Sequence, residues 1–204
     1  MSILYIHGMG GGSDSRIPSI LKEEALDVIV HTYDFDPETA SEQIESWVDD
    51  INPDLVIGES LGSLHAMKIQ GVPKIFVSPA INAPLYFELM AWLTLIPGMT
   101  WLFDRIYRPK TGDRQRLHFT FRTLRKYLKH RKTAISSALN ADDRIFAFFG
   151  TMDHYRKSGV VSIRTWQKYF GNAFLIYQGT HFMEEEYVRG ELKNKVLELL
   201  NSSK

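Results

Sequence analysis

The residues that can do chemistry are concentrated in Leu55-Val56-Ile57-Gly58-Glu59-Ser60-Leu61-Gly62-Ser63-Leu64-His65-Ala66. This is a short apolar run, then Gly-x-Ser-x-Gly, then a run with helical character. A serine at a sharp strand-to-helix turn sits in strained backbone, and the small flanking residues are needed because a Cβ at either glycine would clash across the turn. Such a turn lifts the hydroxyl clear of the sheet and aims a helix N-terminus at it, which favours attack on a carbonyl and the oxyanion that results. Two glycines beside a serine arise in many loops, so the strand–turn–helix context carries the weight.

A second stretch, Ile3-Leu4-Tyr5-Ile6-His7-Gly8-Met9-Gly10-Gly11-Gly12, is a strand entering a glycine-rich loop. The loop lets a backbone N–H approach a substrate oxygen, and Met9 is placed to supply it. A phosphate cradle and a purely structural turn are the alternatives. The first lacks the Gly-Lys-Ser/Thr ending of a P-loop, and Ser13 replaces the last glycine of a dinucleotide fingerprint.

A serine nucleophile needs a base, and the base an orienting acid. Among seven histidines, His181 in Gly179-Thr180-His181-Phe182 follows the last predicted strand. His154 is an alternative base, and His7 is expected to shape its loop by hydrogen bonding. His31, His65, His118 and His130 are read as packing or surface residues. The acid candidate is Asp153, three residues past Gly150 at the end of an apolar run. The competing role for Asp153 is that of an ordinary loop residue or helix cap. Asp142 and Asp143 precede the same run and fall at its wrong end.

The elements that must hold these residues are short apolar runs bounded by Gly, Pro, Asn or Asp. Strands are predicted at Ile3–Ile6, Val28–Tyr33, Leu55–Gly58, Lys74–Val77, Ile145–Phe149 and Ala173–Tyr177. Helical spacing falls between them, notably over Glu38–Ile51 and Glu184–Leu200. Alternation of strand and helix predicts a parallel sheet covered on both faces. It lapses between Ser78 and Asp143, where a helical insertion is expected over 80–141. Pro97-Gly98 and Pro109–Gly112 divide that insertion, and its last helix runs from about Leu117 to Leu139. The whole of 1–204 reads as a single domain.

Composition excludes several functions. The 204 residues hold no cysteine, so disulfides, a thiolate nucleophile and Cys-based metal sites are ruled out. The N-terminus lacks a basic signal-peptide region, and the longest apolar stretch, Leu85 to Ile96, contains Glu88 and is shorter than the roughly 20 residues of a membrane span. A cytoplasmic protein is expected. Its 24 Lys+Arg balance 24 Asp+Glu, but twelve acids and no Lys/Arg lie between Glu23 and Glu59, and eleven Lys/Arg with one acid lie between Arg105 and Lys132. The first expectation is that both blocks solvate helix faces. The sharper one is that the basic block attracts an anionic or polar-headed ester, or an anionic lipid surface. No nucleic-acid partner is expected, because the block lacks a recognition motif. The aromatics of Tyr86–Phe103 are expected to pack the insertion onto the core, with a membrane-facing lid as the lesser alternative.

The order Ser60, Asp153, His181, each after a strand, resembles the α/β-hydrolase family, and within it the small bacterial esterases of the YqiA type. The resemblance covers nearly the whole chain outside the insertion. It implies an α/β-hydrolase fold with a reduced, mostly parallel sheet of about six strands in the order 2-1-3-4-5-6, sandwiched by helices. It also implies Ser60 as nucleophile, His181 as base and Asp153 as acid. The backbone N–H groups of Met9 and Leu61 would form the oxyanion hole, with no metal or organic cofactor. The activity implied is hydrolysis of a carboxylic ester through an acyl-enzyme, with thioester or amide cleavage chemically adjacent. The rival is a catalytically silent module of the same fold that binds a small ligand or a protein.

Overall fold

The computed structural model describes residues 1–108 and 111–201. Six strands, β1 (Ser2–Ile6), β2 (Asp27–Val30), β3 (Leu55–Glu59), β4 (Lys74–Val77), β5 (Ile145–Gly150) and β6 (Phe174–Tyr177), form one sheet. Its order is β2-β1-β3-β4-β5-β6, and every pairing is parallel. All strands therefore point the same way, and the loops after β1, β3, β5 and β6 gather at one edge.

Alternate residues of these strands face opposite layers, as the two-residue period of a strand requires. Leu4, Ile6, Val56, Phe76, Ala147 and Phe149 belong to one buried cluster, and Ile3, Tyr5, Leu55, Ile57, Ile75 and Phe148 to the other. The first is covered by helices including α2 (Pro37–Ile51), α3 (Gly62–Ala66), α4 (Ala83–Leu93), α6 (Phe121–Asn140) and α8 (Ile163–Phe170), which contribute Ile44, Leu64, Phe87, Tyr127 and Trp166. The second is covered by α1 (Arg16–Glu23) and the C-terminal helical segment. Two layers on one doubly covered sheet explain why the strands read as continuous apolar runs.

Local chemistry sets the boundaries. At the start of α2, the Asp36 carboxylate accepts from the N–H groups of Glu38 and Thr39, with Pro37 in the first turn, and at its end Asn52 takes a left-handed conformation. Thr120 caps α6 through the Thr123 N–H, so that helix starts four residues later than predicted. The strand predicted over Val28–Tyr33 stops at Val30. Its sole neighbour, β1, pairs Tyr5 with Val30 and then runs into the glycine loop, which leaves His31–Tyr33 without a ladder partner. The helix predicted over Glu184–Leu200 is interrupted: α9 (Glu185–Tyr187), a π-helical turn at Val188–Leu192 and α10 (Lys193–Asn201) follow one another. Helices α1, α7 (His154–Ser158) and α8 lie between strands, as the alternation predicts, although no ranges are predicted for them.

Between β4 and β5 the described residues form α4, α5 (Met99–Ile106) and α6. Gly98, at φ 86°, makes the first break. Of the second, Pro109–Gly112, residues Pro109 and Lys110 lie outside the described residues. Helix α6 packs against α2, α3, α4 and α8 and buries Leu124, Tyr127, Ala134 and Ile135. Helix α5 buries none of its residues. The expectation that the aromatics of Tyr86–Phe103 pack inward holds for Phe87 and in part for Phe103 but fails for Tyr86, Trp92 and Trp101, which are exposed, as are Leu89, Leu95 and Ile96.

Candidate active site

Ser60 follows β3 with φ 50°, a left-handed conformation that is costly for a residue carrying a Cβ. Its N–H donates to Val77 O at 2.9 Å and its carbonyl accepts from Ala80 N at 3.1 Å, which fixes the turn against β4. The flanking glycines answer to sterics. A Cβ at Gly58 would meet the Ala66 Cβ at 2.8 Å and the Ser63 Cα at 2.9 Å, and one at Gly62 would collide with the carbonyls of Ile6 and His7. Ser60 and its helix are therefore held tightly against the end of β1.

Ser60 Oγ lies 2.9 Å from His181 Nε2, and His181 Nδ1 lies 2.8 Å from Asp153 Oδ2. A carboxylate can only accept, so the imidazole proton sits on Nδ1 and Nε2 is left to accept from the serine hydroxyl. Asp153 and His181 are each 3% exposed. The other carboxylate oxygen, Oδ1, accepts from Tyr155 N at 2.8 Å, making Asp153 the N-cap of α7. Asp153 therefore pairs with His181 and caps a helix at the same time.

The His181 loop is braced from three directions. Arg16 Nη2 donates to the carbonyls of Phe182 and Met183, Tyr177 Oη donates to Thr180 O at 2.7 Å, and the Glu184 carboxylate accepts from Thr180 N at 2.9 Å. The Tyr155 ring meets the His181 ring edge-on, with centroids 4.7 Å apart. Arg16 and Tyr155 carry no sequence signal for this role, because each acts through contacts with residues remote in the chain or across a loop.

Met9 and Leu61 line the same cavity as Ser60 and His181. Among the described residues, neither of their N–H groups donates to a protein acceptor. A Cβ at Gly8 would meet the Ser60 Cβ at 3.0 Å, so the glycine loop runs directly beside the serine. His7 does not approach Ser60 with its ring: its Nδ1 pairs with Gly8 O at 2.8 Å and the ring stacks on Tyr33. Burial drives the His7 pKa down to about 4.

The other candidates are elsewhere. His154 packs its ring on Tyr155 and makes no bond to Ser60. His65 and His130 lie together in the interior with ring centroids 4.4 Å apart. His118 pairs with Asp104 and His31 lies against Trp47. Asp143, at the opposite end of β5, pairs with the buried Lys74. Among the described residues no group of three or more His, Asp or Glu could hold a metal ion.

The cavity over Ser60 has a volume of about 540 Å³. Its lining is largely apolar, with Met9, Leu61, Phe87, Met90, Phe119 and Val160 contributing. Two arginines reach it, and both are occupied, Arg16 by the Phe182 and Met183 carbonyls and Arg114 by Asp14 at 3.1 Å. Of the basic block between Arg105 and Lys132, Arg114 alone among the described residues lines this cavity.

The chain has the α/β-hydrolase fold. It is similar over its full length to the monoacylglycerol lipase of Paleococcus ferrophilus, at 16% identity and a TM-score of 0.63, covering 95% of that chain. It is similar over 98% of its length to an esterase of Pyrococcus furiosus, at 14% identity and a TM-score of 0.60, covering 81% of that chain. A structure of a Nitrososphaera gargenis carboxylesterase matches the full chain at 12% identity and a TM-score of 0.55, with 92% of that chain covered. No protein-family model matches the chain, and no curated protein matches it.

Proposed function

We propose that this protein is a serine esterase that cleaves carboxylic esters with an apolar acyl group. The observation that carries the reading is the hydrogen-bonded series Ser60 Oγ, His181 Nε2, His181 Nδ1, Asp153 Oδ2 at the floor of an apolar cavity. Neighbours of the same fold described as a lipase and an esterase are in keeping with it. The likeness to YqiA-type esterases, carried by the His7-Gly8 loop and the six-strand sheet, belongs to the same proposal, as does a cytoplasmic setting for a chain without cysteine.

In this reading the Ser60 oxygen attacks the ester carbonyl while His181 Nε2 takes its proton. The carbonyl oxygen becomes an oxyanion that accepts from the free N–H groups of Met9 and Leu61. Collapse expels the alcohol, which leaves with the proton from His181, and Ser60 remains acylated. A water deprotonated by His181 then attacks the acyl carbonyl and releases the acid. Asp153 accepts from Nδ1–H throughout and stabilises the imidazolium. Acylation and deacylation each begin with His181 Nε2 free to accept a proton.

The cavity favours an apolar acyl chain over the anionic substrate that the basic block suggests, since both arginines at the cavity already have partners. A panel of uncharged and anionic esters of increasing acyl length tests this. We expect turnover on uncharged esters and labelling of Ser60 by a fluorophosphonate probe, both abolished in Ser60→Ala. An unlabelled Ser60 combined with tight ligand binding would instead favour the silent binding module.

A further inference from the structure

We propose that the face formed by α4, α5 and the outer side of α6 docks on the surface of an anionic lipid bilayer. Helix α4 is apolar on two opposite sides. Ala83, Phe87 and Ala91 recur every four residues and face the core, whereas Leu85, Leu89 and Trp92 at i, i+4 and i+7 are uncovered. A helix that is apolar all round belongs inside a protein or in contact with lipid. Helix α5 extends the uncovered surface, with no residue buried and with Trp101 62% and Ile106 61% exposed; Leu95 and Ile96 join the two helices and are also exposed. Scattered apolar side chains are ordinary on a surface, but exposed ones that follow one another through α4, the Leu95–Ile96 turn and α5 mark a contact site.

Charge selects the occupant. Arg122, Arg125, Lys129 and Lys132 follow one another at spacings of three, four and three along α6, and all are exposed. They form one stripe on a helix that packs beside α4. The Arg125 guanidinium lies over the Trp92 ring at 6.0 Å, and that of Arg105 over the Trp101 ring at 5.3 Å, so cations and aromatic rings share one surface. Arg125 is 3.7 Å from Glu88; among the described residues Arg105, Arg122, Lys129 and Lys132 form no ion pair. An apolar ridge flanked by cations suits acyl chains beneath a layer of anionic headgroups, with tryptophans at the boundary. A second copy of the chain would bring the same cations to an apolar face already rimmed with them.

Tyr86 and Met90 of α4, and Tyr107 after α5, line the cavity, so the docked face shares its elements with the cavity wall. That the bilayer delivers the ester to Ser60 rests on the esterase reading; the docking itself does not. The full chain is therefore tested by flotation with vesicles of phosphatidylcholine alone or with roughly one-third phosphatidylglycerol. We expect binding to the anionic vesicles, with a blue shift of tryptophan fluorescence from Trp92 and Trp101. Binding falls about tenfold or more on neutral vesicles or in about 0.5 M salt. Leu89→Gln with Trp101→Gln, and separately Arg122→Glu with Lys129→Glu, lose it while keeping hydrolysis of a water-soluble short-chain ester, which also reports that both variants fold. Ser60→Ala still floats, so a failed esterase reading stays distinguishable from failed docking. Absence of flotation, or equal binding to neutral and anionic vesicles, overturns the proposal. So does a dimer that Trp101→Gln dissociates in a protein that binds no vesicle, which would assign the face to a second copy.

Discussion

Gln115 holds the glycine loop from 105 residues away: its Oε1 accepts from Gly10 N at 3.0 Å, and its own N–H donates to Gly11 O at 2.7 Å. Next to it, Arg114 pairs with Gly12 in an isolated antiparallel bridge, and a Cβ on Gly12 would collide with Asp113 O. Gln115 is 1% exposed. The segment between β4 and β5 thus fixes the backbone on which Met9 sits. In the esterase reading we expect Gln115→Ala to lower kcat by about 10- to 100-fold with KM little changed, because the loss would fall on the oxyanion donor proposed at Met9. Steady-state kinetics on a soluble ester check this; an unchanged kcat would detach Met9 from the chemistry.

Asp153 serves two partners with two oxygens, and substitutions can separate them. Asp153→Asn keeps an acceptor for the Tyr155 N–H, so α7 stays capped, but it deprives His181 Nδ1–H of its carboxylate. In the esterase reading, and on the pattern of known Ser-His-Asp enzymes, kcat falls by on the order of 10⁴ with little change in melting temperature. Asp153→Ala removes the cap as well and costs about 1 kcal/mol more of stability. Thermal melts of the two variants side by side test the division.

Burial places His7 and His130 at pKa values of about 4, below the 6.5 of an exposed imidazole, and drives His65 down as well. Above pH 6.5 these groups are neutral whether the chain is folded or not. Between about pH 6.5 and 4 the unfolded chain binds protons that the folded one refuses, so stability drops as pH falls. His7 and His130 each account for on the order of 3 kcal/mol across that window. Denaturant titrations at pH 7.5 and 5 should show the decline, and His130→Leu should flatten it. Equal stability at the two pH values would refute the buried-neutral assignment.

Lys74 is fully buried at the start of β4, where its ammonium meets Asp143 at 2.5 Å and the Val72 carbonyl at 3.0 Å. Burial lowers its pKa and the carboxylate opposes that shift. Asp143→Asn should cost about 3 kcal/mol, since it strands a desolvated charge, whereas Lys74→Met with Asp143→Leu should cost far less. Urea unfolding of the single and double variants distinguishes the two.

The positions of Ser60, Asp153 and His181 were legible because each follows an apolar run with a clear end, and parallel strands put those ends on one edge. Tertiary partners remote in sequence were not. Nothing in Arg16 announces that it grips carbonyls at Phe182 and Met183, and nothing in Gln115 announces Gly10. The end of β2 depends on where its neighbour stops, which periodicity within β2 does not encode. The apolar content of Leu85–Ile96 reads the same whether it meets protein or not, so the exposure of Leu89 and Trp92 emerges only in three dimensions.

The all-parallel sheet also bears on how the molecule acquires its site. Every strand pairing joins segments separated by a crossover, so none can form as a local hairpin. Ser60 and Asp153 lie on two different crossovers, the Met9 loop on a third, and His181 in the segment after the last strand, β6. No short fragment can carry a working constellation, and loop-closure entropy must be met several times before the hydroxyl finds its imidazole. Recovery of hydrolysis during refolding should therefore be a late event, reporting completion of the sheet and not the appearance of its helices.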